Sequence, residues 1–128
     1  MCRQLTEIAR NDFKQAVFIC EHDTLHLLNQ YTTIVMTRYT FFALADFLGL
    51  GCLNEKNEHF QCTVLPDNSV ELWIGKTAFR LIPAELISLT SLIGNTANYL
   101  RRVPLKDILV EHKSKKMLQN MKIQFSEN

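Results

Sequence analysis

The segment Cys20-Glu21-His22-Asp23-Thr24-Leu25-His26 gathers the residue types most capable of chemistry in this chain. A thiolate and two imidazoles are zinc donors, and the Cys-x-His-x-x-x-His spacing sets three of them around one turn. Cys52, His59 or Cys62 is available as a fourth donor. Two features oppose a metal. Structural zinc sites favour closely paired ligands, and none of the cysteines at 2, 20, 52 and 62 forms a Cys-x-x-Cys pair. Strand alternation also sends Cys20 and His26 to opposite faces of a hairpin. The expectation is therefore no bound metal or other cofactor, with zinc at Cys20, His22 and His26 as the alternative. The same residues compose a thiol–imidazole dyad, but a cysteine inside an apolar strand is ordinarily inert.

Other catalytic signatures are missing. There is no Gly-x-Ser-x-Gly, no His-Glu-x-x-His, and none of the four glycines sits in a phosphate-cradling arrangement. Glu55 and Glu58 lie in a polar stretch, and Glu21 and Asp23 flank a turn, so their carboxylates read as solvated charges. The chain leans away from being an enzyme and offers no catalytic residue.

The elements that must position these residues come from an internal similarity. Displaced by 45 residues, Asp23–Leu28 falls on Asn68–Trp73, Phe41–Leu44 on Leu86–Leu89, and Phe47–Gly49 on Leu92–Gly94. The reading is a duplicated β-β-β-α unit, spanning 14–49 and 59–94, within one α+β domain over 1–128. It gives six antiparallel strands and two main helices. Phe60–Leu65, Val70–Ile74 and Thr77–Ile82 are the strands of the second unit. Pro66-Asp67-Asn68-Ser69 and Gly75-Lys76 are its turns. Pro83 opens its helix, where a missing N–H costs nothing, and Gly94 matches the terminal glycine of the first helix. In the first unit the strands are Lys14–Glu21, Thr24–Asn29 and Thr32–Met36. Thr37 caps a helix over Arg38–Leu48, which Gly49 and Gly51 stop. Leu5, Ile8 and Ala9 give Cys2–Ala9 a helical spacing, and Leu105–Met121 reads as a helix after Pro104. The expected architecture thus has flanking N- and C-terminal helices.

Hairpin register assigns the faces. With Gly75-Lys76 as the loop, Ile74 pairs with Thr77, Leu72 with Phe79 and Glu71 with Arg80. One face carries Val70, Leu72, Ile74, Phe79 and Leu81, matched in the first unit by Leu25, Leu27, Ile34 and Met36, with Phe18 and Cys20 alongside. The other face is expected to show Val17, Ile19, Leu28, Val35, Phe60, Cys62, Val64 and Trp73. An apolar patch of that size marks a contact surface. The leading functional expectation is a non-catalytic interaction module. It forms a homodimer or binds a protein partner through Trp73, Leu28, Val35, Val17 and Val64.

Composition sets the remaining limits. The chain has 128 residues, 47% hydrophobic, with net charge +1. This excludes global disorder. No apolar run reaches the ~18 residues of a membrane span, and the first residues lack a signal-peptide pattern. A cytoplasmic protein with reduced thiols is expected. Charge is uneven: residues 1–100 carry net −3, and the basic segment 101–128 carries net +4. Nucleic-acid binding through Arg101, Arg102, Lys113, Lys115 and Lys116 is a further alternative, but Phe125 is the one aromatic among the lysines, so base stacking is poorly served.

The string Cys20-Glu21-His22-Asp23-Thr24-Leu25-His26-Leu27, followed by a second strand and a Phe-rich helix, resembles small uncharacterised bacterial proteins with a C-x-H-G-x-[IV]-H-L hairpin. The likeness covers residues 17–48. Asp23 departs from it, standing where those proteins often have Gly. The resemblance implies a bacterial cytoplasmic protein and nothing about substrate.

Overall fold

Alternating apolar residues build the strands Thr24–Asn29, Val70–Ile74 and Thr77–Leu81, a continuous apolar run builds the strand Gln15–Cys20, and recurrence at helical spacing builds the two long helices. A computed structural model describes residues 2–109. In chain order the elements are β1 (Leu5–Arg10), β2 (Gln15–Cys20), β3 (Thr24–Asn29), β4 (Thr32–Thr37), α1 (Arg38–Gly49), β5 (Phe60–Val64), β6 (Val70–Ile74), β7 (Thr77–Leu81) and α2 (Pro83–Arg102). A short helical segment follows over 105–109. The architecture is α+β, with two antiparallel sheets ordered β1-β2-β3-β4 and β5-β6-β7. There are thus seven strands in two sheets, against the six expected.

The 45-residue displacement survives in the strand pairing. Val17 pairs with Leu27 and Cys62 with Leu72; Leu27 pairs with Ile34 and Leu72 with Phe79. The extra strand is β1, at the residues expected to be helical. It pairs with β2 (Leu5 opposite Cys20, Arg10 opposite Ala16), and its register shifts between Glu7 and Ala9. That bulge inserts a residue into the two-residue alternation and brings the neighbours Ile8 and Ala9 both against the core, whereas Leu5, opposite Cys20, is exposed. At the other end, α2 continues through Gly94 to Arg102, because Ala97 and Leu100 prolong its buried stripe. Of the expected C-terminal helix, 105–109 is helical and the remainder to Met121 lies outside the described residues.

One apolar core joins both sheets and both helices. α1 packs on α2, β3 and β4, while α2 also packs on β1, β2 and β7. Phe41, Leu44 and Leu48 bury the inner side of α1. The face expected to be covered in the second sheet (Val70, Leu72, Ile74, Phe79, Leu81) is buried.

The first strand of each unit faces the opposite way from expectation. The β2–β3 connection has three residues and the β5–β6 connection five. Odd loops pair positions of equal parity, so Ile19 stands beside Leu25 and Val64 beside Val70. Val17, Ile19, Phe60 and Cys62 are therefore core residues. Val64 shares their face, whereas Phe18 and Cys20 point outward with His26.

The cap on α1 is as expected: Thr37 Oγ1 accepts the Thr40 N–H at 3.1 Å. At the matching start of α2, Ile82 has no such oxygen. The Glu85 carboxylate accepts the Ile82 N–H instead, at 2.9 Å. Thr37→Ala should lower stability by about 1 kcal/mol, read from the urea midpoint at unchanged slope.

The Pro66–Ser69 turn carries an acid-sensitive contact. Asp67 accepts hydrogen bonds from the Ser69 hydroxyl and backbone N–H and pairs with Arg80. The two Ser69 bonds are the main cause holding its pKa at about 2; burial opposes them, and Arg80 adds a smaller lowering effect. A carboxyl more acidic in the folded than in the unfolded chain stabilises the fold fully above its unfolded pKa of ~4. That contribution is lost as pH falls through about 2. Urea midpoints measured across this window should fall less steeply with acidification in Asp67→Asn than in the wild type.

Candidate metal centre

Cys20 ends β2, His26 lies two residues into β3, and His22 stands in the turn between them. Because the three-residue loop preserves parity, Phe18 pairs with His26 and Cys20 falls on the same outer face. The expectation that Cys20 and His26 diverge is thus corrected. Asp23, in that loop, has a left-handed backbone (φ 59). Glycine adopts this conformation without steric cost, and Asp tolerates it. Here the Asp23 carboxylate takes a forked pair of hydrogen bonds from Arg38, which also donates to the Leu100 carbonyl at the end of α2. The turn is thereby tied to both helices.

The donor that the sequence did not reveal is Cys2. Pairing of β1 with β2 returns the start of the chain to the hairpin, and Cys2 lies over the outer face. Its sulphur is 3.5 Å from His26 Nε2 and 3.8 Å from His22 Nδ1. Cys20 Sγ is 4.0 Å from His22 Nδ1. The donor atoms of Cys2, Cys20 and His26 all lie within 4.8 Å of one another. Cys20 is fully buried beneath this cluster, while His22 is exposed.

These distances can be compared with a tetrahedron. Zn–S bonds near 2.3 Å and Zn–N bonds near 2.0–2.1 Å require S–S edges of about 3.8 Å and S–N edges of about 3.5 Å. Three of the four sulphur–nitrogen separations are 3.5, 3.8 and 4.0 Å, so these edges match or need closing by up to about half an ångström; the fourth, Cys20 to His26, lies within 4.8 Å. Two soft sulphurs and two imidazoles form a zinc-type donor set, unsuited to magnesium or calcium.

The electrostatics favour an anionic sulphur here. Burial pushes the Cys20 thiol up. Hydrogen bonds from Cys2, His26 and the backbone N–H groups of His22 and Thr24 outweigh it and bring the group to about 6. Cys2 is pushed up in turn, first because its thiol proton bonds Cys20. Protons shared in this way are what a divalent ion displaces on binding.

The other expected donors are elsewhere. Cys52 and Cys62 lie 3.2 Å apart in the buried core. Burial and the neighbouring Cys52 push Cys62 up to about 12, so it keeps its proton. His59 pairs with Glu58 at the surface. The proposed contact surface also contracts. Val17 is buried and Val64 faces the core, leaving Leu28 and Val35 on one sheet and Trp73 on the other. Val35 is 58% exposed and Trp73 37% exposed. Beside Trp73 on the outer face of the second sheet stand Ala78 and the polar Gln61, Thr63, Glu71 and Arg80, and Trp73 Nε1 donates to Glu71 there.

Of the basic residues, Arg101 stacks over Phe42 and pairs with Asp46, and Arg102 donates to the Asn98 carbonyl. Lys113, Lys115 and Lys116 lie outside the described residues. Among the described residues no helix is long and apolar enough to cross a membrane. Comparison of the chain with protein-family models, curated proteins and solved structures finds no match.

Proposed function

We propose that the protein binds one zinc-class ion through Cys2, Cys20, His22 and His26, in a non-catalytic role. The observation that supports this reading is the convergence of Cys2, Cys20 and His26, up to 24 residues apart, whose donor atoms lie within 4.8 Å of one another, with His22 Nδ1 3.8 Å from Cys2 Sγ and 4.0 Å from Cys20 Sγ. Four protein donors complete a tetrahedron and leave no position for substrate, the pattern of a structural rather than a catalytic zinc. Its effect is to fasten the start of the chain to the β2–β3 hairpin. Self-association through the sheets keeps Leu28, Val35 and Trp73 as candidate contacts, but these are divided between two sheets and form a weaker constellation.

The test is elemental analysis of the full chain, purified without chelator, beside Cys20→Ser. The expected result is stoichiometric zinc in the wild type and none in the variant. No metal in the wild type, or equal metal in both, overturns the reading.

A further inference from the structure

Residues 2–4 precede β1 and have no strand partner, yet Cys2 must be held over the hairpin to serve as a donor. Among the described residues, the backbone hydrogen bonds holding this segment both end on one side chain. The Arg3 N–H donates to Glu21 Oε1 at 2.6 Å, and the Gln4 N–H donates to Glu21 Oε2 at 3.0 Å. Glu21 stands in the turn between Cys20 and His22, so the carboxylate anchors the segment beside the donors it must meet. One of its oxygens lies near Cys20 Sγ and His22 Nδ1 as well. Direct ligation by Glu21 and positioning by Glu21 are therefore both geometrically accessible, and they predict different behaviour.

We infer that Glu21 is the positioning residue of the metal centre: its two oxygens clamp the Arg3 and Gln4 backbone and so hold Cys2 within bonding range of the ion. This rests on the zinc reading above. Both oxygens accept backbone N–H groups, and Oε1 also lies 3.7 Å from His22 Nδ1; a carboxylate rotated away from Arg3 and Gln4 to meet the ion would lose that pair of hydrogen bonds. A carboxylate accepts both N–H groups. The amide of a glutamine presents one acceptor and sets its NH₂ against the second N–H, so Glu21→Gln should free the clamp with little change in shape.

The experiment measures zinc affinity by competition with a chromogenic chelator for the wild-type full chain, Glu21→Gln, Cys2→Ala and the double variant. Outer-shell partners typically contribute 10–100-fold to metal affinity. Glu21→Gln should therefore weaken binding by roughly 10- to 100-fold in the wild-type background. In the Cys2→Ala background it should weaken binding no further, because the clamp then has no donor to position. With cobalt as the probe, Glu21→Gln should lose intensity in the thiolate-to-cobalt charge-transfer band, towards that of Cys2→Ala. Glu21→Ala, which deletes both acceptors, should behave as Glu21→Gln does, and melting of the metal-free variants reports their folding. Unchanged zinc affinity in a folded Glu21→Gln overturns the clamp while leaving the metal reading intact. Full additivity with Cys2→Ala also overturns it, because Glu21 then acts on the ion without Cys2. Absence of zinc binding by the wild type overturns the metal reading itself.

Discussion

Zinc added to the metal-free protein should raise its melting temperature, and the rise should grow with the logarithm of free zinc. An ion that binds the folded chain alone stabilises it by about 4 kcal/mol at a free concentration a thousand times Kd. For a domain of this size that is an increase of roughly 10–15 °C. The physical basis is the distance in sequence between the donors. Cys2 and His26 are 24 residues apart, and the unfolded chain has no preformed site. Cys20→Ala removes the donor at the bottom of the cluster and should abolish the response. Cys52→Ala should preserve it, because Cys52 lies with Cys62 in the core, away from the cluster. A zinc response that survives Cys20→Ala, or disappears in Cys52→Ala, would place the ion elsewhere.

Gln15→Leu should cost about 3 kcal/mol of stability, one of the larger single-residue effects outside the apolar core. Gln15 is completely buried, and its side chain joins three segments. Oε1 accepts from Asn11 Nδ2 at 2.7 Å, while Nε2 donates to Asn29 Oδ1 at 3.0 Å and to the Glu85 carbonyl at 3.2 Å. Leucine fills similar volume but leaves the buried Asn29 amide without this partner, and an unmet buried polar group costs about 1–3 kcal/mol. The second sheet shows the apolar solution to the same position. Gln15 pairs with Asn29, and 45 residues later Phe60 pairs with Ile74. Replacing both amides, as Gln15→Leu with Asn29→Leu, should therefore recover most of the loss. Chemical denaturation of the single and double variants measures this coupling. A double variant as unstable as the sum of its parts would show that the network is held by something other than mutual pairing.

The sequence was legible where geometry is local. Gly75-Lys76 specifies a two-residue turn, and the pairs Ile74–Thr77, Leu72–Phe79 and Glu71–Arg80 follow from it. Thr37 and Pro83 mark helix starts through their own backbone and side-chain chemistry. Legibility failed where one residue of register decides the outcome. The bulge between Glu7 and Ala9 sets the neighbours Ile8 and Ala9 both against the core and hides the alternation of the strand. The parity of the three- and five-residue loops reversed β2 and β5, moving Val17, Cys62 and Val64 inward and Cys20 outward. The candidate site suffered from both errors. His22 and His26 were visible beside Cys20, but Cys2 meets them only through β1, whose pairing has no local signature. The one available signal was an unassigned cysteine at the end of a segment with apolar residues, which calls for a sheet edge to place it.

X-ray absorption at the zinc edge of the full-length protein tests the central claim most directly. The expected coordination shell has two sulphurs near 2.3 Å and two imidazole nitrogens near 2.0–2.1 Å, with one sulphur lost in Cys2→Ala. A shell of oxygen and nitrogen alone, or a two-sulphur shell unchanged by Cys2→Ala, would contradict it.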